Sequence, residues 1–144
     1  MIAAALAASA VSFFLNTAYY SLTWQMYAVD FARPEPIKEL IFLQHLVFGS
    51  LMTYIFPFGY RGRHWVLEGA RFGALMGLLM FVPIGLSIRA VWWVPLDFPF
   101  ILACVNAAFS GAVTGVVIAQ FYRKSAKAAA RKTAAVEDDE WLSW

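Results

Sequence analysis

The sequence contains few charged residues, one cysteine and two histidines. Only 14% of its 144 residues are charged, whereas soluble domains carry roughly 25%. A single cysteine, Cys104, excludes an intramolecular disulfide and the paired cysteines of redox or zinc motifs. The formal net charge of +2 is too small to indicate nucleic-acid binding. The low charge and the single cysteine therefore argue against a disulfide-stabilised, zinc-binding or nucleic-acid-binding soluble domain.

Apolar residues dominate the chain in long uninterrupted runs. Hydrophobic residues make up 62% of the sequence and aromatic residues 17%. A membrane-spanning helix needs about 20 mostly apolar residues, and alternating strand patterns are missing from the runs. The sequence therefore predicts an all-α polytopic membrane protein with a bundle of four transmembrane helices, at approximately 2–29, 40–58, 66–94 and 98–122.

Two regions follow from this pattern. Residues 1–122 form the predicted transmembrane domain, and residues 123–144 form a tail that is first basic and then acidic. The acidic end is open to two interpretations, a solvated disordered segment or a docking peptide. In the second case its anchors for a partner would be Trp141, Leu142 and Trp144.

Basic residues predict the orientation in the membrane. Eight of them fall in the second connection, at the start of the third helix or in the tail, and the remaining three fall on the opposite side. Because cytoplasmic loops are enriched in lysine and arginine, we expect both termini to be cytoplasmic. The expected location is the inner (cytoplasmic) membrane of a bacterial cell, with membrane lipids as neighbours.

Small residues recur at a spacing of four in the third and fourth helices. Such faces allow two helix backbones to approach closely, which drives association in lipid. We expect the third and fourth helices to pack on each other, although one glycine face docking on another chain is an alternative. The predicted packing residues are Gly69, Gly73, Gly77, Gly111 and Gly115, flanked by Ala107 and Ala119.

Polar side chains inside membrane helices are costly and tend to face the interior of the bundle. The first helix carries Ser9, Ser12, Asn16, Tyr19 and Thr23 at alternating spacings of three and four, which places them on one face. Counting depth at about 1.5 Å per residue predicts a polar seam in the outer half of the bundle. Its predicted members are Tyr19, Thr23, Gln44, His45, Arg89 and Asn106.

The predicted seam has two interpretations. It is either a hydrogen-bonded network that fixes the order of the helices, or a small cavity that binds a ligand or conducts a proton through His45, since histidine changes charge near neutral pH. His64 falls in the connection on the far side from His45, so the two do not form a haem ligand pair. No nucleophile–base pair and no metal-ligand cluster is apparent, and we predict no cofactor and no metal.

Three functions are compatible with these features. The sequence favours an accessory or assembly subunit of a larger membrane protein complex, without catalytic activity of its own, whose partner is another membrane protein or a second copy. The first alternative is a small oligomeric transporter or channel that uses the polar seam. The second is a membrane enzyme acting on a lipid or quinone, with His45 as its base.

Overall fold

A computed structural model describes residues 1–23, 37–61, 64–91 and 98–141, with side chains described up to residue 124. The described residues form four α-helices and no strand, which confirms the predicted all-α fold. The helices are α1 (Ile2–Thr23), α2 (Lys38–Gly59), α3 (Trp65–Val91) and α4 (Phe98–Trp141). Each is long and apolar enough to span a membrane. The direction in which they cross it stays a prediction.

The helix bounds differ from the predicted segments in informative ways. The end of the first predicted segment, 24–29, and the end of the third, 92–94, lie outside the described residues. Helix α2 begins two residues before the predicted segment 40–58 and ends one residue after it, at Gly59, with Pro57 inside the helix. Helix α4 continues far past its apolar part to Trp141, across an alanine-rich stretch with high helix propensity. The predicted tail is therefore largely a continuation of α4.

Helix α4 is the central element of the bundle. It packs along α3 on one side and along α1 on another, and α1 in turn packs along α2. Helices α2 and α3 meet over a much smaller area. The bundle is thus two helical hairpins, α1–α2 and α3–α4, joined mainly through α1 and α4.

The contact between α3 and α4 is built from glycine and alanine. Gly73 lies against Gly111, and a Cβ atom on either would overlap the carbonyl oxygen of the other. Gly69 and Gly115 face each other one helical turn away, and a Cβ on Gly69 would lie 2.6 Å from the Gly115 carbonyl oxygen. Gly77 meets the carbonyl of Ala107 in the same register. The two helices run antiparallel, and their backbones approach closely because each contact has glycine on at least one of the two helices.

Aromatic side chains fill the end of the bundle where α2 ends and α3 begins. Phe56 is only 1% exposed and packs edge-on against Phe72 at 5.2 Å between ring centroids. Its ring also packs against Tyr60 and Tyr122 at 5.0 and 5.4 Å. The Phe56–Phe72 contact joins α2 to α3 at this end, beside the glycine contact between α3 and α4.

A proline in α2 explains one specific bond in this cluster. Pro57 has no N–H group, so the carbonyl of Thr53, four residues earlier, lacks its usual helical donor. The hydroxyl of Tyr122 on α4 donates a hydrogen bond of 2.9 Å to this carbonyl. Since lipid offers no water to a bare carbonyl, α4 supplies the donor that α2 lacks.

Candidate functional site

The polar face of α1 lies at the centre of the candidate site. Ser9 and Ser12 are 1% and 2% exposed, and Asn16 is half-buried one turn further along. The 3.6-residue helical repeat places all three on the side of α1 that faces its neighbours. Lipid around a helix disfavours such groups unless other helices supply partners. Helices α2 and α4 supply them.

The first cross-helix contact joins α1 to α2. The Ser12 Oγ lies 2.9 Å from the Nδ1 of His45, and His45 is 7% exposed. The ring of His45 also packs edge-on against Phe13 at 5.9 Å between centroids. A hydrogen bond and an aromatic contact therefore both fix the orientation of the imidazole.

The second cross-helix contact joins α1 to α4. The side-chain amide of Asn106 donates to the Asn16 Oδ1 at 2.9 Å, and the Asn16 amide donates to the carbonyl of Ser12, also at 2.9 Å. One continuous set of polar groups thus crosses three helices. We call it the α1 network, and its members are His45, Ser12, Asn16 and Asn106. It connects α2 with α4 through the polar face of α1.

A close backbone approach lies next to the network. Ser9 donates to the carbonyl of Ala5 in its own helix at 2.8 Å and lies 3.5 Å from the carbonyl of Leu46 on α2. A Cβ atom on Gly49 would lie 2.8 Å from the backbone nitrogen of Ser9. Gly49 thus brings α1 and α2 close enough for the Ser12–His45 contact.

Of the six predicted seam residues, the structure places only His45 and Asn106 in the α1 network. Gln44 precedes His45 by one residue, but it is exposed because one residue turns the side chain about 100° around the helix. Thr23 donates to the carbonyl of Tyr19 within α1 at 2.8 Å, and Tyr19 packs against Tyr20.

Arg89 lies in a different contact, between α3 and α4. Its guanidinium sits 4.1 Å from the centre of the Phe100 ring, a cation–π geometry, and it donates to the carbonyl of Gly85 at 3.3 Å. Phe100 itself lies against Gly85 and stacks on Phe81. Depth along the helix axes was thus a poor guide to which polar residues share a face.

Ser12 and Asn16 are the network members that the predicted seam omitted. Both belong to the polar stripe on α1, which was the available signal. The sequence also showed no nucleophile–base pair, because Ser12 and His45 lie on different helices. The structure brings the Ser12 hydroxyl within hydrogen-bond distance of the His45 imidazole, a contact that the sequence did not indicate.

Two observations limit the chemistry of the site. Among the described side chains, no fully buried nitrogen or oxygen lacks a hydrogen-bond partner. Within the same part of the chain, no three histidine, cysteine or acidic residues cluster as metal ligands. The α1 network therefore satisfies its buried polar groups internally.

The predicted docking residues Trp141, Leu142 and Trp144 lie outside the described side chains, although the backbone of α4 extends to Trp141. No protein-family model, curated protein or solved structure matches this chain. Interpretation of the site therefore depends on its own geometry.

Proposed function

We propose that the protein is an accessory or assembly subunit of a larger membrane protein complex, without catalytic activity of its own. The observation that carries this proposal is the length of α4. Its 44 residues correspond to about 66 Å, while the hydrocarbon core of a bilayer is about 30 Å thick. The 17 residues 125–141 extend α4 by about 25 Å beyond its membrane-spanning part. A helix projecting from a bundle offers a surface to a partner.

The charge pattern of the projecting part supports the same function. This segment begins with basic residues and ends with four acidic residues at 137–140. The basic residues are Arg123, Lys124, Lys127, Arg131 and Lys132. Basic residues next to a membrane span favour anionic headgroups, which would place the acidic end and the following tryptophans away from the surface. We propose that Trp141, Leu142 and Trp144 bind the partner, and that the complex resides in the inner membrane of a bacterium.

The α1 network supports a scaffold rather than a transport path. Its members donate to and accept from one another, and each such bond contributes about 0.6 kcal/mol in a membrane protein. A set of bonds across three helices fixes the order of these helices. A subunit with this design holds its projecting helix in a defined position.

The test is purification of the tagged full-length chain from its native membranes in a mild detergent. We expect a second membrane protein to co-purify in constant molar ratio. Replacing Trp141 and Trp144 together with alanine is expected to remove the partner. Thr133→Ala, in the same projecting segment, is the matched control and is expected to retain it. Purification of the unaltered chain without any partner would contradict the proposal.

One observation favours a second function, a membrane enzyme that cleaves a lipid ester. With Ser12 Oγ 2.9 Å from His45 Nδ1, the imidazole is placed to take the hydroxyl proton while the oxygen attacks the ester carbonyl. The alcohol would leave with that proton, and water would then release the acyl group from Ser12. The low exposure of both residues makes this function second, because a substrate carbonyl must reach Ser12.

The enzyme hypothesis has a direct test. A fluorophosphonate probe reacts with activated serines, so it is expected to label the unaltered protein in membranes. Labelling should be lost in Ser12→Ala and in His45→Ala, and retained in Ser50→Ala, whose exposed serine serves as control. Absence of label in the unaltered protein would reject this function.

A further inference from the structure

The outward face of α2 carries a side-chain amide that the bundle does not use. Gln44 is exposed, and its side-chain amide has no hydrogen-bond partner within the described part of the chain. It lies six residues after Lys38, about 9 Å along the helix axis from the start of α2. The 22 residues of α2 extend about 33 Å, close to the roughly 30 Å of a bilayer's hydrocarbon core, so we expect this amide to face hydrocarbon, where an unsatisfied donor or acceptor is costly.

The residues around Gln44 form a regular apolar face. Exposed side chains recur at spacings of four, three, four, three and four, which is the heptad pattern of two packed helices. The exposed fractions of the residues other than Gln44 range from 50% for Val47 to 79% for Phe58. We call this surface the α2 heptad face, and its members are Leu40, Gln44, Val47, Leu51, Tyr54 and Phe58.

We propose that the α2 heptad face binds the same face of a second copy of this chain, with the two Gln44 side chains hydrogen-bonded to each other. This inference goes beyond the function proposed above. It predicts a symmetric dimer around an axis perpendicular to the membrane, with the two α2 helices parallel.

The choice of a second copy follows from the chemistry and depth of Gln44. A side-chain amide contains both a donor and an acceptor, so two amides related by a twofold axis satisfy each other with two reciprocal bonds. Every copy of the chain crosses the membrane in the same direction, which places both Gln44 residues at the same depth. A single polar residue at one heptad position also specifies register and the number of chains.

Cysteine crosslinking of the purified chain tests the geometry. In a background with Cys104→Ala, Val47→Cys and Leu51→Cys are expected to form disulfide-linked dimers on mild oxidation in liposomes. Leu75→Cys and Leu79→Cys on α3 are matched controls, because these residues are 68% and 65% exposed but lie on another surface. Equal crosslinking at both pairs of positions, or none on α2, would overturn the proposal.

A measurement of the monomer–dimer equilibrium tests the role of Gln44. Gln44→Leu is expected to raise the dissociation constant about eightfold, since two hydrogen bonds of about 0.6 kcal/mol each are lost. Gln44→Asn retains an amide and is expected to dimerise more strongly than Gln44→Leu. Gln120→Leu, an exposed glutamine on α4, is expected to behave as the unaltered chain. An unchanged equilibrium in Gln44→Leu would overturn the inference.

Both measurements use the protein alone in liposomes. Their outcome is therefore separate from whether another membrane protein co-purifies through the projecting part of α4. A dimer without a foreign partner would support this inference and contradict the subunit function. Co-purification of a different membrane protein, without a dimer of this chain, would support the subunit function and contradict this inference.

Discussion

The two sides of α4 are joined to their neighbours by different physical means. Towards α3 the helix presents Gly111 and Gly115, and the backbones are in direct contact. Towards α1 it presents Asn106, and the helices are joined by a side-chain hydrogen bond. Burial of apolar surface does not distinguish helix neighbours from lipid, so close packing and hydrogen bonding are the two available alternatives. This bundle uses both on one helix.

The two kinds of contact differ in their tolerance of substitution. A glycine contact depends on shape, so one added methyl group meets a rigid backbone. A side-chain bond depends on one donor and one acceptor, and a neighbouring group or a shifted rotamer can partly replace either. Substitutions in the α3–α4 contact should therefore have larger effects than those in the α1 network.

The largest effect is expected from Gly73→Ala. Its Cβ would overlap the backbone carbonyl of Gly111, and α3 must move away from α4 to make room. We expect a loss of about 3 kcal/mol in the free energy of unfolding, measured by reversible denaturation in mixed micelles. The matched control is Gly59→Ala, because a Cβ there meets nothing within 4 Å. Equal stability of the two variants would contradict the close backbone contact.

A somewhat smaller effect is expected from Tyr122→Phe. The variant keeps the aromatic contact with Phe56 but removes the donor for the Thr53 carbonyl, at a cost of about 2 kcal/mol. In a Pro57→Ala background the alanine N–H replaces the lost donor. There we expect Tyr122→Phe to cost clearly less. If the two costs are the same, Pro57 is not the reason for this bond.

The bond between Asn16 and Asn106 should couple the stabilities of their variants. We expect a double-mutant cycle with leucine at both positions to give a coupling free energy of about 1 kcal/mol. Val105→Leu, next to Asn106 but 60% exposed, is expected to leave stability nearly unchanged. Independent effects of the two asparagines would show that the bond does not contribute.

The smallest effect is expected from Ser12→Ala. It removes one hydroxyl from His45 without opening a large cavity, so the free energy of unfolding should fall by about 0.6 kcal/mol. Ser50→Ala, at an exposed position on α2, controls for the loss of a hydroxyl as such. If Ser12→Ala lowered the free energy of unfolding more than Gly73→Ala does, the α1 network would be less tolerant of substitution than the α3–α4 contact, the opposite of what we expect.

Apolar runs were sufficient to predict four helices, because lipid requires each span to be long and nearly uncharged. The glycines that recur at a spacing of four in the sequence are the ones that touch in the structure. Rotation about the helix axis was harder to predict, as Gln44 and His45 show. Within an apolar helix, one polar residue does not establish which side faces the bundle until the neighbouring helix is known.

The bond from Tyr122 to Thr53 also escaped prediction from the sequence. Pro57 lies inside α2, which ends two residues later at Gly59. Membrane helices tolerate proline where another group satisfies the freed carbonyl. The donor lies 69 residues away along the chain, and only the three-dimensional arrangement shows that it is present.

The central position of α4 has a consequence for biogenesis. The described parts of α2 and α3 meet over a small area, and α4 is the helix that packs extensively against both α3 and α1. During synthesis from the N-terminus, α1 and α2 can pair early, while α3 has little to bind until α4 has followed it into the membrane. The hydrogen bond from the Asn106 side chain to the Asn16 side chain can also form only after α4 has entered the membrane. Among the four described helices, α4 is the one that closes the bundle, so a nascent chain halted before residue 98 would leave α3 exposed to the quality control of the membrane.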